Sequence, residues 1–118
     1  LFADAACGSP EFDEAFKSIM AEVFASQPLE AIPPDIPVYH IAYDTTRVTY
    51  AAAVRELNPS LSTFTLYGIK VNDRLAVVYS PYDIGAALDH APAYGSRGLA
   101  TDDAFKVATN VVLFALSH

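Results

Sequence analysis

The spacing of apolar residues along the chain predicts both strands and helices. The opening run Leu1–Asp4 is apolar up to its last residue, as is typical of the carboxyl end of a buried strand. Ser9 and Pro10 suit the cap and the first position of a helix, and acidic residues fill the first turns. Helical spacing of the next apolar residues predicts a helix over about residues 10–25; they are Phe12, Phe16, Ile19, Met20, Val23 and Phe24.

Prolines interrupt the chain after this helix. Half of the 8 prolines fall within residues 28–37, and each one disfavours helix at the residue before it. We therefore expect this stretch to be an extended or irregular surface connection. The run Val38–Tyr43 fits either a strand or a short helix. Residues Tyr50–Leu57 are predicted to form a helix that Asn58-Pro59 ends.

Two β-rich runs, Thr65–Val71 and Arg74–Tyr79, flank the dipeptide Asn72-Asp73. Two turn-forming residues between strands predict a tight β-hairpin. The second run is apolar at consecutive positions, which indicates a strand buried on both faces. A helix that begins at Thr101 completes the pattern, with a broad apolar stripe that extends to Leu116.

Together these elements predict an α/β layered domain, a sheet flanked by helices with a β-hairpin. Because a buried strand needs a neighbour on each side, Leu1–Asp4 is expected to be an interior parallel strand. Its missing neighbour would come from a protein partner or from a segment outside these residues. We interpret residues 1–118 as a single domain, the C-terminal part of a larger α/β domain that lacks its N-terminal strands.

Composition and charge narrow the classes of function. The chain has 118 residues, 53% hydrophobic and 18% charged, so it is not expected to be disordered. Its apolar run Val107–Leu116 is too short to span a bilayer. A net charge of −7 without a basic run argues against nucleic acid and anionic membranes as partners. One Cys and three scattered His form neither a disulfide nor a zinc set, and we predict no metal and no cofactor.

Polar side chains collect where strands are predicted to end, which is where open α/β sheets bind ligands. The candidate ligand-binding residues are Asp4, Tyr79, Ser80, Tyr82 and Asp83. They meet at one edge only if Leu1–Asp4 and Arg74–Tyr79 run parallel, and the acidic crevice would then prefer a neutral or cationic ligand. The alternative is structural: these side chains hold turns and loop amides.

Asp4, Cys7 and His40 are the candidates for catalysis. Cys7 lies at a predicted strand-to-helix turn, where a helix N-terminus can stabilise a thiolate, although a small buried cysteine is the alternative. His40 is a candidate general base for Cys7 or Asp4, or else a half-buried, hydrogen-bonded histidine. Asn110, midway along an apolar helix, is expected to be satisfied by backbone groups of a neighbour.

Four segments of the chain share residues and spacing with one bacterial family. They are Phe2–Phe12, Pro37–Asp44, Tyr67–Asp83 and Asn110–Leu116, of which the hairpin segment is the most specific. In this order they resemble the family called domain of unknown function 4159. The resemblance implies a class I glutamine-amidotransferase-like, flavodoxin-type α/β domain, and family domains usually begin with strands and helices that precede this segment. After Asp83 the family often has a Cys and a Trp, where this chain has Ile84–Leu88.

The resemblance also implies a bacterial protein that is exported or tethered to a membrane, and therefore an extracytoplasmic, periplasmic location. Our hypothesis is a non-catalytic interaction or small-ligand-binding domain of a larger exported protein or assembly. The alternative is a hydrolase or amidotransferase-like enzyme that uses Cys7 or Asp4 with His40. The lack of a Gly-x-Cys-x-Gly nucleophile elbow favours the non-catalytic hypothesis.

Overall fold

A mixed sheet with helices on both faces forms the framework of the protein. The computed structural model describes residues 1–5, 9–58, 60–82, 84 and 98–117. In chain order the elements are β1 (Phe2–Asp4), α1 (Pro10–Val23), β2 (Glu30–Ala31), a 3₁₀ helix (Pro37–Tyr39), α2 (Ala52–Leu57), β3 (Tyr67–Val71), β4 (Arg74–Ser80) and α3 (Thr101–Ser117). The strand order is β1-β4-β3-β2, with β1 parallel to β4 and the other pairs antiparallel. The predicted α/β layered class is confirmed.

Helix α1 begins as its sequence predicts and covers one face of the sheet. The Ser9 side chain accepts a hydrogen bond from the Phe12 amide at 3.3 Å, which satisfies one of the free N–H groups of the first turn. Met20 packs against Ile69 of β3 and Val77 of β4. The helix ends at Val23, two residues before the expected end.

The predicted hairpin joins β3 and β4 through Asn72 and Asp73. Both residues have a positive φ, 52° and 63°, as a two-residue turn of the I′ class requires. Val77 and Val78 are both buried, although they point to opposite faces of β4. This confirms the expectation of a strand buried on both faces.

The second face of the sheet is covered by α3 and by the segment that contains the 3₁₀ helix. The Tyr39 hydroxyl donates to the Ile32 carbonyl and accepts from the Leu66 amide, each at 2.8 Å. These bonds hold the 3₁₀ helix beside β2 and β3. The open alternative for Val38–Tyr43 is therefore resolved as one short 3₁₀ helix followed by bends.

Asn110 joins α3 to the loop that follows the 3₁₀ helix. Its side-chain oxygen accepts from the amides of Ala42 and Tyr43 at 3.0 and 3.1 Å, and its nitrogen donates to the Tyr43 carbonyl at 2.8 Å. The expected structural role of this buried amide is confirmed. No helix in the described ranges is long and apolar enough to cross a membrane.

β1 lies at the edge of the sheet that the described residues form, with β4 as its one strand neighbour. The expectation of an interior strand requires a second neighbour on the other side. The described residues contain none, so the neighbour from a partner or from a further segment stays a prediction.

Candidate functional site

The ends of β1 and β4 meet at one edge of the sheet, as the parallel arrangement requires. Asp4 pairs with Ser80 in the strand register, and the Asp4 carboxylate accepts a hydrogen bond from the Ile84 amide at 2.7 Å. Asp4 therefore holds the loop that follows β4, as the structural alternative expects. Asp83 lies outside the described residues, and its predicted closeness to Asp4 stays a prediction.

Tyr79 lies beneath α1 rather than at the rim of a crevice. Its ring stacks on Phe16 with centroids 4.2 Å apart, and its hydroxyl donates to Asp13 at 2.8 Å. Burial raises the pKa of Tyr79, and the hydrogen bond to Asp13 and the charges of Asp13 and Asp4 raise it further. Lys17 binds the other oxygen of Asp13 at 2.8 Å.

Sequence reasoning missed Asp13 as a member of this group. Its place in the first turn of α1 indicated only a favourable interaction with the helix dipole. The partner, Tyr79, is 66 residues away in the chain, and no local spacing connects the two. Only the packing of α1 across β4 brings them together.

Ser80 and Tyr82 hold the turn after β4. The Ser80 hydroxyl donates to the Tyr82 carbonyl at 2.8 Å and accepts from the Tyr82 amide at 3.2 Å. The Tyr82 ring meets the Tyr50 ring edge-on, with centroids 4.8 Å apart. The described ligand-binding candidates are thus engaged with neighbouring residues of the protein.

The two described catalytic candidates, Asp4 and His40, have different hydrogen-bond partners. His40 is exposed; its Nε2 lies 2.6 Å from the Pro34 carbonyl and its Nδ1 lies 3.7 Å from Asp44. Asp4 binds the Ile84 amide, in a different loop. Cys7 lies outside the described residues, so its pairing with His40 stays a prediction. Within the described ranges, no group of three or more His, Cys, Asp or Glu could hold a metal ion.

The edge of β1 opposite β4 has no strand neighbour among the described residues, and backbone groups point outward there. The Leu1 amine donates to Ala76 and the Leu1 carbonyl accepts from Val78, both at 2.8 Å, while the Ala5 amide donates to Ser80 at 2.9 Å. Alternate residues of a strand point their backbone groups to the same side. The N–H and C=O groups of Phe2 and Asp4 therefore point away from β4.

An apolar flank of α1 borders this edge. The Lys17 ammonium lies over the Tyr67 ring of β3, 5.8 Å from its centroid, so this side of the helix faces β3. At about 100° per residue, Phe12, Ile19 and Val23 lie about 120–160° around the helix from Lys17. All three are exposed, and they face the β1 side of the sheet.

Helix α3 also exposes apolar side chains, but they do not face β1. Val107 and Val111 mark the buried side of this helix. Phe105, Val112 and Leu116 are exposed and lie about 100–180° around the helix from these two residues, on the side away from the sheet. We call the following set the β1 edge surface: Leu1, Phe2, Phe12, Ile19 and Val23.

An α/β sheet with helices on both faces, whose parallel edge strand β1 has one strand neighbour among the described residues, is thus the class of structure that the fold and the site define. Comparison with known families gives one result: the family described as Domain of unknown function (DUF4159) matches residues 1–116. The chain belongs to that family. Searches of curated proteins and of solved structures found no match.

Proposed function

We propose that this chain is a non-catalytic interaction domain of a larger, exported bacterial assembly, and that a β-strand of a partner protein pairs with the free edge of β1. The single observation that carries the proposal is the β1 edge surface. The outward backbone groups of Phe2 lie beside the exposed side chains of Leu1 and Phe2 and beside the apolar flank of α1.

Free strand edges bind extended segments through the same backbone hydrogen bonds that build a sheet. Ala3 and Phe2 pair with Tyr79 and Val78, which lie on the α1 and α3 faces respectively. Leu1, on the face of Ala3, is 70% exposed, and Phe2 is 37% exposed. An added strand would cover apolar side chains on both faces, so we expect it to be apolar on both faces itself.

Charge favours a different protein over a second copy of this chain. Each copy carries a net charge of −7, and a dimer would bring two such charges together. The exposed side chains of the β1 edge surface are apolar, and Asp4 at the end of β1 is an acidic neighbour. We therefore expect a neutral or basic partner whose strand is apolar.

Two further parts of the proposal rest on the family resemblance. One is that the domain is the C-terminal part of a class I glutamine-amidotransferase-like α/β domain, and the other is that it is exported. No observation favours the alternative enzyme, because Asp4 and His40 bind backbone groups of different loops.

Site-specific photocrosslinking tests the proposal. A photoreactive amino acid replaces Phe2 in the protein expressed in its native host, and mass spectrometry identifies the crosslinked peptide. The control places the same group at Glu30, which is exposed on β2 at the opposite edge of the sheet. We expect position 2, and not position 30, to crosslink to an apolar, strand-like peptide of another protein. Crosslinks only between copies, only to the same polypeptide, or equally from both positions would refute a partner strand.

Substitutions at Phe2 separate the backbone from the side chain. Phe2→Pro removes the outward N–H without removing a bond to β4, whereas Phe2→Ala keeps the N–H and removes the ring. We expect Phe2→Pro to reduce the crosslink yield, read from a photoreactive group at Phe12, by tenfold or more relative to Phe2→Ala. Equal yields would show that no backbone pairing takes place.

A further inference from the structure

We propose that a groove at the hairpin end of the sheet binds a fatty acid, with the acyl chain between the sheet and α3 and the carboxylate at Lys70 and Arg74. The groove shares Leu1 and Phe2 with the β1 edge surface, but its test needs no partner strand. The groove has a volume of about 840 Å³. This lies within the range of roughly 300–1,000 Å³ that is usual for small-molecule sites.

Apolar side chains form the walls and floor of the groove. Val78 of β4 and Val111 of α3 are buried at its floor. Phe2, Leu75 and Phe114 are less buried and stand around them. An acyl chain matches this lining because it has no polar atom that would lose its hydrogen bonds to water on entry.

Two cations line the groove of this acidic protein. The protein carries a net charge of −7, yet Lys70 and Arg74 both line the groove. The ion pairs among the described residues are Lys17–Asp13 and His40–Asp44, so no described carboxylate lies within 4.0 Å of Lys70 or Arg74.

Both cations line the groove from its hairpin end, and both are exposed. Lys70 pairs with Leu75 on the α3 face of the sheet, whereas Arg74 pairs with Val71 on the α1 face and reaches the groove from beside the turn. Asp73 in the turn also lines the groove, which leaves one net positive charge from these three side chains. A single carboxylate at the end of an apolar chain has the complementary charge and shape.

Calorimetric titration with a matched set of ligands tests the proposal. Decanoate, decan-1-ol and decyltrimethylammonium share one chain and differ in charge, and octanoate shortens the chain by two methylenes. We expect decanoate to bind at least tenfold more tightly than the cation and several-fold more tightly than the alcohol. Because each buried methylene strengthens binding about fourfold, decanoate should exceed octanoate about tenfold or more. Equal affinity for the three head groups, or for the two chain lengths, would overturn the proposal.

Variants locate the site within the protein. We expect Lys70→Gln combined with Arg74→Gln to weaken decanoate binding about tenfold, because both cations are lost. Ala115→Phe places a ring in the groove from an exposed position of α3 and should also weaken binding. Arg55→Gln, on α2 and away from the groove lining, removes the same charge and is the control. Equal losses in the control and the groove variants would show only a general charge effect, and would refute the site.

The outcome is separate from that of the partner strand. The crosslinking experiment uses no amphiphile, and the titration uses no partner protein. A partner strand at β1 without decanoate binding would refute the groove alone. Decanoate binding without a crosslinked partner would refute the proposed interaction alone.

Discussion

Replacing Asn110 with leucine removes the polar connection between α3 and the loop after the 3₁₀ helix. Leucine has the same number of side-chain non-hydrogen atoms and the same branch point, so the change leaves no empty space, although its methyl groups are larger than the oxygen and nitrogen they replace. The Asn110 side chain is fully buried, with bonds to the amides of Ala42 and Tyr43 and to the Tyr43 carbonyl. After the substitution, these three backbone groups lose their partner.

The expected cost follows from those three bonds. A hydrogen bond contributes about 1 kcal/mol net, and a buried group left without a partner costs about 1–3 kcal/mol. Tyr43 is 40% exposed, so water can reach part of this loop and the cost stays near the lower end. We expect Asn110→Leu to lower the free energy of unfolding by about 3 kcal/mol, a large part of the roughly 5–15 kcal/mol of a small domain.

Urea unfolding followed by circular dichroism measures this loss. Thr109→Val is the control: it lies next to Asn110 on α3, and its hydroxyl donates only to Phe105 of the same helix, at 2.8 Å. Hydrogen exchange gives a second measurement, because the amides of Ala42 and Tyr43 should lose their protection in Asn110→Leu alone. A loss below about 1 kcal/mol, or one equal to that of Thr109→Val, would refute the reasoning.

Two other predictions concern the hairpin and the buried tyrosines. Replacing both Asn72 and Asp73 with Val should lower the free energy of unfolding by about 2–4 kcal/mol, because a left-handed backbone costs about 1–2 kcal/mol per residue. A Gly-Gly turn at the same positions should retain stability in thermal unfolding. Equal stability of the two variants would contradict this prediction. Burial raises the pKa of Tyr79 and of Tyr50 in the folded state. An unfolded tyrosine ionises near pH 10, so stability should be complete below that pH and fall above it. Tyr79→Phe should flatten this decline in urea unfolding between about pH 9 and 11; an unchanged slope would argue against the Tyr79 contribution.

Elements with signals inside a few residues could be predicted from the sequence. The start of α1 depends on Ser9 and Pro10, and the hairpin turn depends on two residues that tolerate positive φ. Both preferences act within one turn of chain. They therefore stay visible in the sequence whatever packs around them.

β2 could not be predicted in this way. Glu30 and Ala31 are both exposed and show no alternation of apolar and polar residues. They form a strand because β3 offers backbone partners at Gly68 and Tyr67. The 3₁₀ helix has a similar origin, since its position depends on Tyr39 binding Ile32 and Leu66.

At the candidate site, geometry was predictable and side-chain partners were not. Parallel strands end at the same edge, so the meeting of Asp4 and Ser80 follows from the topology. The bonds of Tyr79 to Asp13 and of Asp4 to Ile84 join residues 66 and 80 positions apart. These bonds depend on how α1 and the loop after β4 pack, which no local pattern encodes.

The two outer strands of the sheet, β1 and β2, differ in how their exposed edges are protected from pairing with another strand. Proteins protect a strand edge that must stay open with charges, prolines or very short strands. The β2 edge has all three: Glu30 is charged, Pro28 and Pro33 flank the strand, and it is two residues long. β1 is also short, at three residues, and its one charged residue is Asp4 at the end; no proline lies within or beside it, and Leu1 and Phe2 are exposed and apolar.

The exposed apolar residues follow the same division. Of the eleven large apolar side chains that are exposed within the described ranges, nine lie on Leu1, β1, α1 and α3. Single exposed apolar residues are normal, but a contiguous patch indicates a surface that is buried in use. The hydrophobic content of 53% agrees with a domain in which some apolar surface is buried by a partner. Because the edge of β1 and the apolar flank of α1 lie on one side of the sheet, a strand added beside β1 would cover the exposed apolar side chains there.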